Sequence, residues 1–376
     1  MTRGSRLIIL GAMVTAAVSA SSAQQPPAPR PPLSEEVFRN IQVLKGIPVN
    51  QFMETMGFFS ASLGADCTFC HVTESGGSWE KYADDNQHKR TARGMVTMMT
   101  AINRNNFGGR QVVTCYTCHR GGDRPKVTPS LADLYGAAPP AEQDDVIEPA
   151  AAGAPAATQV LDKYVRASGG ATRLAGLRSI VGKGTYEAYT DRVKHPVELF
   201  ARAPGQRVTI VHAPDGNITT TCDGRNAWIA APIAERPVPV IALGGGDLEA
   251  ARLEAELTFP GRIRQTFVTW RAGAPSTIAD RDVEVVQGRT PGRAPATFFF
   301  DRESGLLTRL VRYVDSPVGR IPMQTDYGDY RDVSGVKMPF RISATWLDGR
   351  STIELSDVKT NIPIAPSTFA KPAAPK

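Results

Sequence analysis

The stretch Cys67-Thr68-Phe69-Cys70-His71 recurs 48 residues later as Cys115-Tyr116-Thr117-Cys118-His119. Two cysteines with two residues between them let both thiols reach one edge of a porphyrin, where each adds across a vinyl group. The histidine that follows can then bind the iron, so each pentapeptide predicts a covalently attached c-type haem. We expect two haems, with thioether bonds to Cys67, Cys70, Cys115 and Cys118 and iron ligands His71 and His119.

The alternative is a zinc site, because two Cys-x-x-Cys pairs can also hold a tetrahedral metal ion. The pairs of such a site are usually separated by about 15–20 residues, whereas 44 residues lie between Cys70 and Cys115. Zinc also does not require a histidine directly after each pair. Both observations favour haem.

The N-terminus indicates the compartment. Arg3 and Arg6 precede an apolar run over residues 7–20, and small residues follow at Ser21-Ser22-Ala23. This order predicts a cleaved secretory signal peptide at residues 1–23 and a periplasmic or exported protein, with an uncleaved membrane anchor as the alternative. No cysteine near the cleavage site could carry a lipid. Covalent haem attachment takes place outside the cytoplasm in bacteria, in agreement with export.

Length and composition predict how the rest of the chain is divided. The 376 residues suggest two domains after the signal. The segment 136–157 is rich in Pro and Ala and predicts a semi-stiff linker. We therefore expect a dihaem domain at 33–135 and a second domain at 158–373 that folds separately. The formal net charge is +6, but no basic run is interleaved with aromatic residues, which argues against a nucleic-acid partner.

The first domain is predicted to be mainly α-helical. A helix capped by Asn50 and ending near Gly64 precedes the first motif. A second helix, from about residue 85 to residue 107, precedes the second motif, and its apolar residues follow the spacing of one helix face at Met95, Met98, Met99 and Ile102. The pattern is a repeated unit of helix, turn and haem motif.

Methionines on these helices are candidates for the second axial iron ligand. Methionine opposite histidine is typical of electron-carrying haems and raises their potential. Methionine is also a common filler of apolar cores. The spacing alone does not separate the candidates, which are Met53, Met56, Met95, Met98 and Met99.

Residues 43–126 resemble the cytochrome c subunit of photosynthetic reaction centres. The resemblance lies in the segments 52–56, 63–71, 92–98, 101–103 and 113–121. It implies that Met56 is the axial ligand opposite His71 and Met95 the one opposite His119. It also implies electron transport with redox proteins, such as a membrane reaction centre. This chain departs from the family in two ways. Photosynthetic members carry four haems, whereas this chain has two motifs, and they are commonly lipid-anchored, whereas this chain lacks a cysteine for a lipid.

The second domain is predicted to be an antiparallel β structure with minor helices. Short runs alternate apolar and polar residues from residue 179 onward, and Gly- and Asp-containing turns separate them. A helix is expected at about 246–257. The segments 300–307, 326–331, 335–340 and 361–363 faintly resemble outer-membrane lipoprotein carrier and sorting domains. That resemblance implies a half-barrel around an apolar cavity, and a lipid or quinone as its ligand.

These observations predict an exported dihaem c-type cytochrome that carries electrons and is not an enzyme. Its donor and acceptor would be redox proteins, such as a reaction centre or a respiratory complex. One alternative is a dihaem peroxidase, which needs an open position on an iron. The other is a lipid- or quinone-binding periplasmic protein with a haem redox module.

Overall fold

The computed structural model describes residues 29–71, 79–129, 136, 147–189, 192–232 and 238–375. Within these residues a helical N-terminal region is followed by a large antiparallel β-sheet, which agrees with the predicted order of fold classes. The predicted signal peptide at 1–23 and most of the predicted linker lie outside the described residues.

The helices divide into a group that carries the haem motifs and a group that covers the sheet. The first group comprises α1 Ser34–Val37, α2 Val49–Leu63, α3 Cys67–Cys70, α4 Gln87–Phe107 and α5 Cys115–His119. The second group comprises α6 Ala157–Ala167, α7 Ala171–Ala175 and α8 Gly245–Leu257. In the part of the chain described here, no helix is long and apolar enough to cross a membrane.

The two long helices, α2 and α4, end as the sequence predicts. Gly64 and Gly108 follow their last residues with φ of 62° and 61°, a left-handed conformation that glycine adopts without strain. Asn86 caps α4, because the Lys89 amide donates to its side chain at 2.9 Å. The predicted cap of α2 is wrong, since Asn50 lies inside that helix and Pro48 precedes it.

The strands form one sheet in which every paired neighbour is antiparallel. They are β1 Ser179–Ala188, β2 Lys194–Arg202, β3 Gln206–Ala213, β4 Gly216–Cys222, β5 Ala227–Ala230, β6 Val240–Ala242, β7 Thr269–Ala272, β8 Ser276–Ile278, β9 Arg281–Arg289, β10 Ala296–Asp301, β11 Leu307–Ser316, β12 Gly319–Val333, β13 Val336–Trp346 and β14 Gly349–Thr360.

The strand order is β6-β5-β4-β3-β2-β1-β14-β13-β12-β11-β10-β9-β7, with β8 also paired to β9. The first and last strands therefore meet in the middle, and the described sheet is open at β6 and β7. One face of the sheet is covered by α6. There Leu161 and Tyr164 pack with Phe298 and Phe300 in the largest apolar cluster of the described residues. The predicted helix at 246–257 is α8.

The helical region is packed directly on the sheet. A buried cluster joins Phe58 of α2 and Met99 of α4 to Val314, Val318 and Ile321 of the β11–β12 hairpin. Glycines allow the close approach, because a Cβ at Gly319 would lie 2.1 Å from the Phe58 ring. This contact was not expected from the sequence, which predicted two halves with few apolar residues between them.

A polar cluster lies beside this apolar contact. Burial, together with the neighbouring carboxyl group of Asp247, raises the pKa of Glu54 on α2 to about 9. The guanidinium of Arg312, on β11, acts against this shift and lowers the pKa of Glu54. Burial also raises the pKa of Asp348. Glu54 is therefore protonated near pH 7, so α2 buries this side chain without an uncompensated negative charge.

The described end of the predicted linker is attached to the sheet. Pro149 forms an antiparallel bridge with Gly273, and the Ala274 amide donates to the Glu148 carbonyl at 2.8 Å. Ile147 is buried. The residues just before α6 therefore extend the β7 edge of the sheet, whereas the domain boundaries at 135 and 158 stay a prediction.

We expect Gly319→Ala to lower the free energy of unfolding by about 1–3 kcal/mol, because the new methyl group would overlap the Phe58 ring in a packed contact. Gly328→Ala, in the same strand, is the matched control, since a Cβ there meets nothing within 4 Å. Urea unfolding followed by far-UV circular dichroism measures both. In a Phe58→Ala background the cost of Gly319→Ala should disappear. Equal stability of the two glycine variants would contradict the packing.

Candidate haem sites

The first motif forms a single helical turn. Asp66 caps α3, because the amides of Thr68 and Phe69 donate to its carboxylate at 2.9 and 3.2 Å. Cys67 and Cys70 lie at positions i and i+3 of this turn, so both side chains occupy one face. Neither thiol is in a disulfide. The local sequence therefore presents both sulfurs in the same direction, as attachment to one porphyrin edge requires.

The ring of His71 is held in a defined orientation. Its Nδ1 atom lies 3.1 Å from the Tyr82 carbonyl oxygen, and the two rings meet edge to face with centroids 4.8 Å apart. A proton on Nδ1 donated to that carbonyl leaves the Nε2 lone pair free for a metal. Burial lowers the pKa of His71, and the charge of Lys89 lowers it further. Both effects favour the neutral imidazole that a metal ligand needs.

A cavity of about 390 Å³ lies against this motif and has a largely apolar wall. Cys67, Cys70 and His71 line it from one element, and Met53 and Met56 line it from α2. The volume is within the range of about 300–1,000 Å³ typical of cofactor pockets. Two thiols, an imidazole with a free nitrogen and a thioether sulfur therefore line one apolar space, so the residues present fit a c-type haem.

Basic side chains line the same cavity, namely Arg39, Lys89 and Arg93. Arg93 pairs with Asp85 at 2.6 Å, and Lys89 donates to the carbonyl oxygens of Tyr82 and Asp84. Burial lowers the pKa of Lys89, and the Arg93 charge lowers it further. The wall thus combines apolar surface with cationic groups, which suits a porphyrin that ends in two carboxylates.

The second motif is built in the same way. Thr114 caps α5 through reciprocal hydrogen bonds with Thr117, whose amide donates to the Thr114 hydroxyl at 3.3 Å. The Nδ1 atom of His119 lies 3.0 Å from the Gly122 carbonyl oxygen. Its Nε2 atom is therefore available, as in His71. Burial raises the pKa of Cys115 to about 11, so this thiol is uncharged near pH 7.

The surroundings of the second motif are much more exposed than those of the first. On α4, Val96 and Met99 point into the apolar core, while Met95 and Met98 on the neighbouring face are 43% and 48% exposed. Tyr116, between the two cysteines, is 48% exposed. The second site is therefore an open apolar surface, where the first is a cavity.

Helix α2 also supports the second motif. The Gly121 amide, two residues after His119, donates to the Ser62 carbonyl at 2.9 Å. A Cβ at Gly64 would lie 2.3 Å from the Gly121 carbonyl oxygen. Only glycine permits this approach at position 64. The contact joins the end of α2, three residues before Cys67, to the second haem motif.

Asn103 holds the segment before the second motif, a role that the sequence analysis did not assign to it. It is buried on α4, accepts hydrogen bonds from the amides of Val112 and Val113, and donates to the Val113 carbonyl at 2.7 Å. A buried asparagine on an otherwise apolar helix face is the sequence signal that points to it. His88 is an exposed residue in the first turn of α4, and its ring centroid lies 4.3 Å from that of Phe69.

All eight predicted site residues are described. The structure brings Met56 to the cavity of Cys67, Cys70 and His71, and α4, which carries Met95, contacts α5. Among the described residues, no three His, Cys, Asp or Glu side chains converge as a metal cluster.

The sheet encloses a second cavity, of about 70 Å³. Its wall is partly polar, because Arg207 pairs with Glu254 of α8 at 2.6 Å inside it. Burial raises the pKa of Tyr327 there well above its usual value. This volume is far below that of pockets which hold drug-sized ligands. Cys222 is buried in a neighbouring apolar cluster.

Comparison with known proteins supports the similarity of the N-terminal region. Residues 9–149 match the family model described as photosynthetic reaction centre cytochrome C subunit. The reaction center cytochrome c subunit of Thermochromatium tepidum is 37% identical over 99 residues, which are 25% of this chain and 23% of that protein. That of Roseobacter denitrificans is 33% identical over 101 residues, which are 25% and 26%. The chain thus spans about a quarter of the length of these relatives.

Solved structures match the rest of the chain weakly. A LolA superfamily protein from Nitrosomonas europaea aligns with a TM-score of 0.38 at 14% identity, covering 58% of this chain and 99% of that one. A DUF1329 family protein from Desulfovibrio piger aligns with a TM-score of 0.41 at 8% identity, covering 57% and 97%. Scores below 0.5 carry no argument about function. The N-terminal region, residues 9–149, is thus similar to the photosynthetic reaction centre cytochrome c subunit, and a large open antiparallel sheet follows it.

Proposed function

We propose that the protein is an exported dihaem c-type cytochrome that carries electrons between two redox proteins. The observation that carries this proposal is the first cavity, in which two thiols, a histidine with a free Nε2 atom and a methionine sulfur line one apolar space. The family similarity of residues 9–149 supports the same class of function. The count of two haems is part of the proposal and follows from the two motifs.

A bound c-type haem supplies one-electron transfer at its iron. At the first site, Cys67 and Cys70 would hold the macrocycle and His71 would bind the iron on one side. The hydrogen bond from His71 to Tyr82 fixes the ring and increases the basicity of the ligand. Met56 would supply the thioether ligand, which raises the potential relative to a second histidine. The apolar wall keeps water from the site.

At the second site we assign the same roles to Cys115, Cys118, His119 and Met95. The hydrogen bond from His119 to Gly122 is the counterpart of the one that orients His71. Because Met95 is 43% exposed, this site admits more water than the first. Solvent exposure is one of the factors that set the potential of a haem. We therefore propose that the two haems have different potentials.

Arg39, Lys89 and Arg93 are the groups we assign to the haem propionates at the first site. They are the Lys and Arg side chains in the wall of the first cavity. A carboxylate paired with a cation in a partly buried site is stabilised in its charged form. These residues would therefore fix the orientation of the macrocycle as well as balance its charge.

The proposal does not include enzymatic turnover or a ligand of the sheet. Peroxide chemistry needs an open position on the iron, and a methionine candidate is available for each haem. The sheet cavity of about 70 Å³ is too small for an acyl chain or a quinone in this conformation. Redox proteins, such as a membrane reaction centre or a respiratory complex, are the partners we propose.

The protein, produced with export and haem attachment, should carry two covalent haems. Intact mass should exceed that of the mature polypeptide by two haems. A redox titration should show two reversible one-electron steps. Added hydrogen peroxide should leave the spectrum of the oxidised protein unchanged, because both irons would have two protein ligands. A colourless zinc-containing protein would contradict the haem proposal, and rapid spectral change with turnover of peroxide would contradict the carrier role.

Met56→Leu and Met95→Leu should each remove about half of the weak near-infrared sulfur-to-iron charge-transfer band and lower one of the two potentials. Met53→Leu and Met98→Leu are the matched controls. Met53 lines the same cavity as Met56, and Met98 is exposed to nearly the same extent as Met95. Leucine conserves volume, so packing should be largely kept. Loss of the band in a control variant, with an intact band in its partner, would reassign that ligand.

A further inference from the structure

The second haem site lies in the most one-sided charge environment of the helical region. No Asp or Glu occurs between Asp85 and Asp123. The cations of the first half of α4 have partners, since Arg90 and Arg93 both lie within 4 Å of Asp85. The cations around the second motif are not paired with Asp85 in this way. They are Arg104, Arg110, Arg120, Arg124 and Lys126, and together we call them the basic surface.

Every side chain of the basic surface is exposed. Among the described residues, none of the five has a carboxylate within 4 Å. Asp123 is the single acidic residue between positions 104 and 126. Five exposed cations against one carboxylate produce a strong local positive potential, which is weakly screened within about 8–10 Å at ordinary salt concentrations.

The fold keeps these cations close to the second motif. Asn103 ties residues 112 and 113 to the end of α4, which brings Arg104 and Arg110 to the start of α5. The bond from Gly121 to Ser62 fixes the loop after α5, where Arg120 and Arg124 lie. A five-residue helix is only about 7.5 Å long, so the cations flank the motif on both sides.

Exposed apolar side chains occur on the same stretch of chain as these cations. Met98, Val112 and Tyr116 are 48%, 49% and 48% exposed. An apolar centre with a charged rim is the usual composition of a transient protein interface. Tyr116 is one of the two residues between Cys115 and Cys118, so a partner seated here would lie against the edge at which the haem is attached.

We propose that the basic surface is the docking site of an acidic redox protein, which exchanges electrons with the second haem. This inference rests on the proposed function, because it assumes a haem at Cys115 and Cys118. The haem's own two propionates would pair with at most two cations and leave at least three for a partner. An anionic membrane could also bind these cations. Only a redox partner, however, would exchange electrons with a haem attached beside them.

Reversing the charge of the surface should slow electron transfer from an acidic donor. The test variant is Arg110→Glu, Arg124→Glu and Lys126→Glu, which leaves out Arg120 because that residue follows His119 directly. The control variant is Arg166→Glu, Arg178→Glu and Lys371→Glu, three exposed cations outside the helical region. Both variants change the formal charge of the chain by the same amount.

The probe is a reduced plant-type ferredoxin, an acidic iron–sulfur protein of low reduction potential. Its second-order rate constant with the oxidised holoprotein, measured by stopped flow, should fall as ionic strength rises. It should fall by about tenfold or more in the test variant and stay unchanged in the control, because electrostatic steering contributes factors of about 10–10³ to association rates. Haem content and reduction by dithionite are measured first on every protein.

Equal rates for the two variants, when both carry two haems, would overturn the docking site and leave the carrier role intact. Absence of haem from the wild-type protein would instead defeat the proposed function. A lower potential of the second haem with an unchanged salt dependence would assign the cations to the haem's own propionates. Loss of binding to phosphatidylglycerol vesicles in the test variant, with an unchanged ferredoxin rate, would assign the surface to a membrane.

Discussion

The packing of α2 on three sides is the constraint on which the rest of the structure depends. A helix turns by about 100° per residue, so positions 53, 56 and 60 face the first cavity while 54, 57 and 58 face the sheet. Between these faces, the Ser62 carbonyl accepts the hydrogen bond that holds the loop after the second motif. One helix therefore sets the position of both haem motifs relative to the sheet.

This arrangement links a proposed haem ligand to residues far away in sequence. Met56 and Phe58 are two residues apart, and Phe58 is seated over Gly319 in the β11–β12 hairpin. A Cβ at Gly57 would likewise lie 2.8 Å from the Asp348 carboxylate. Any shift of α2 towards the sheet would move Met56 away from the cavity of His71. The sheet thus supports the first cavity from behind, which gives it a structural role whether or not it also binds a ligand.

The two proposed haem sites differ in exposure and in charge. The first is a cavity with a largely apolar wall, which would limit the reorganisation of water around a bound haem. The second is open, and exposed cations surround it without carboxylate partners among the described residues. If the protein carries electrons as proposed, the exposed surroundings of the second site are where we expect a partner to make contact.

Much of the helical region could be predicted from sequence because its signals are local. The two motifs, Asn86 with Gly108 at the ends of α4, and Gly64 after α2 all act within a few residues of the chain. The antiparallel β structure was predicted in the same way, from the alternation of apolar and polar residues from residue 179 onward. Strand β12 was not predicted, because charged residues such as Asp326 and Arg331 interrupt its alternation of apolar and polar residues. These residues form ion pairs instead, Asp326 with Arg309 of β11 and Arg331 with Asp329, both at 2.6 Å.

The contacts between the helical region and the sheet could not be predicted, because each needs two complementary residues far apart in the chain. A glycine is needed at position 319 only because the Phe58 ring packs against it, and at position 57 only because the Asp348 carboxylate lies there. The exposure of Met95 and Met98 could also not be predicted from the sequence, because both residues fit the apolar pattern of a buried helix face. Only the packing of Val96 and Met99 shows which part of that face is covered.

Amide hydrogen exchange of the holoprotein is the measurement that tests the shared role of α2 most directly. A Cys67→Ala, Cys70→Ala variant lacks the first attachment site, and a Cys115→Ala, Cys118→Ala variant serves as its control. If α2 joins the first cavity to the sheet, loss of the first haem should speed exchange in α2 and in residues 314–321, because local opening of packed elements is cooperative. In the control, residues 314–321 should keep their protection. Faster exchange confined to residues 67–107 in the first variant would contradict the account.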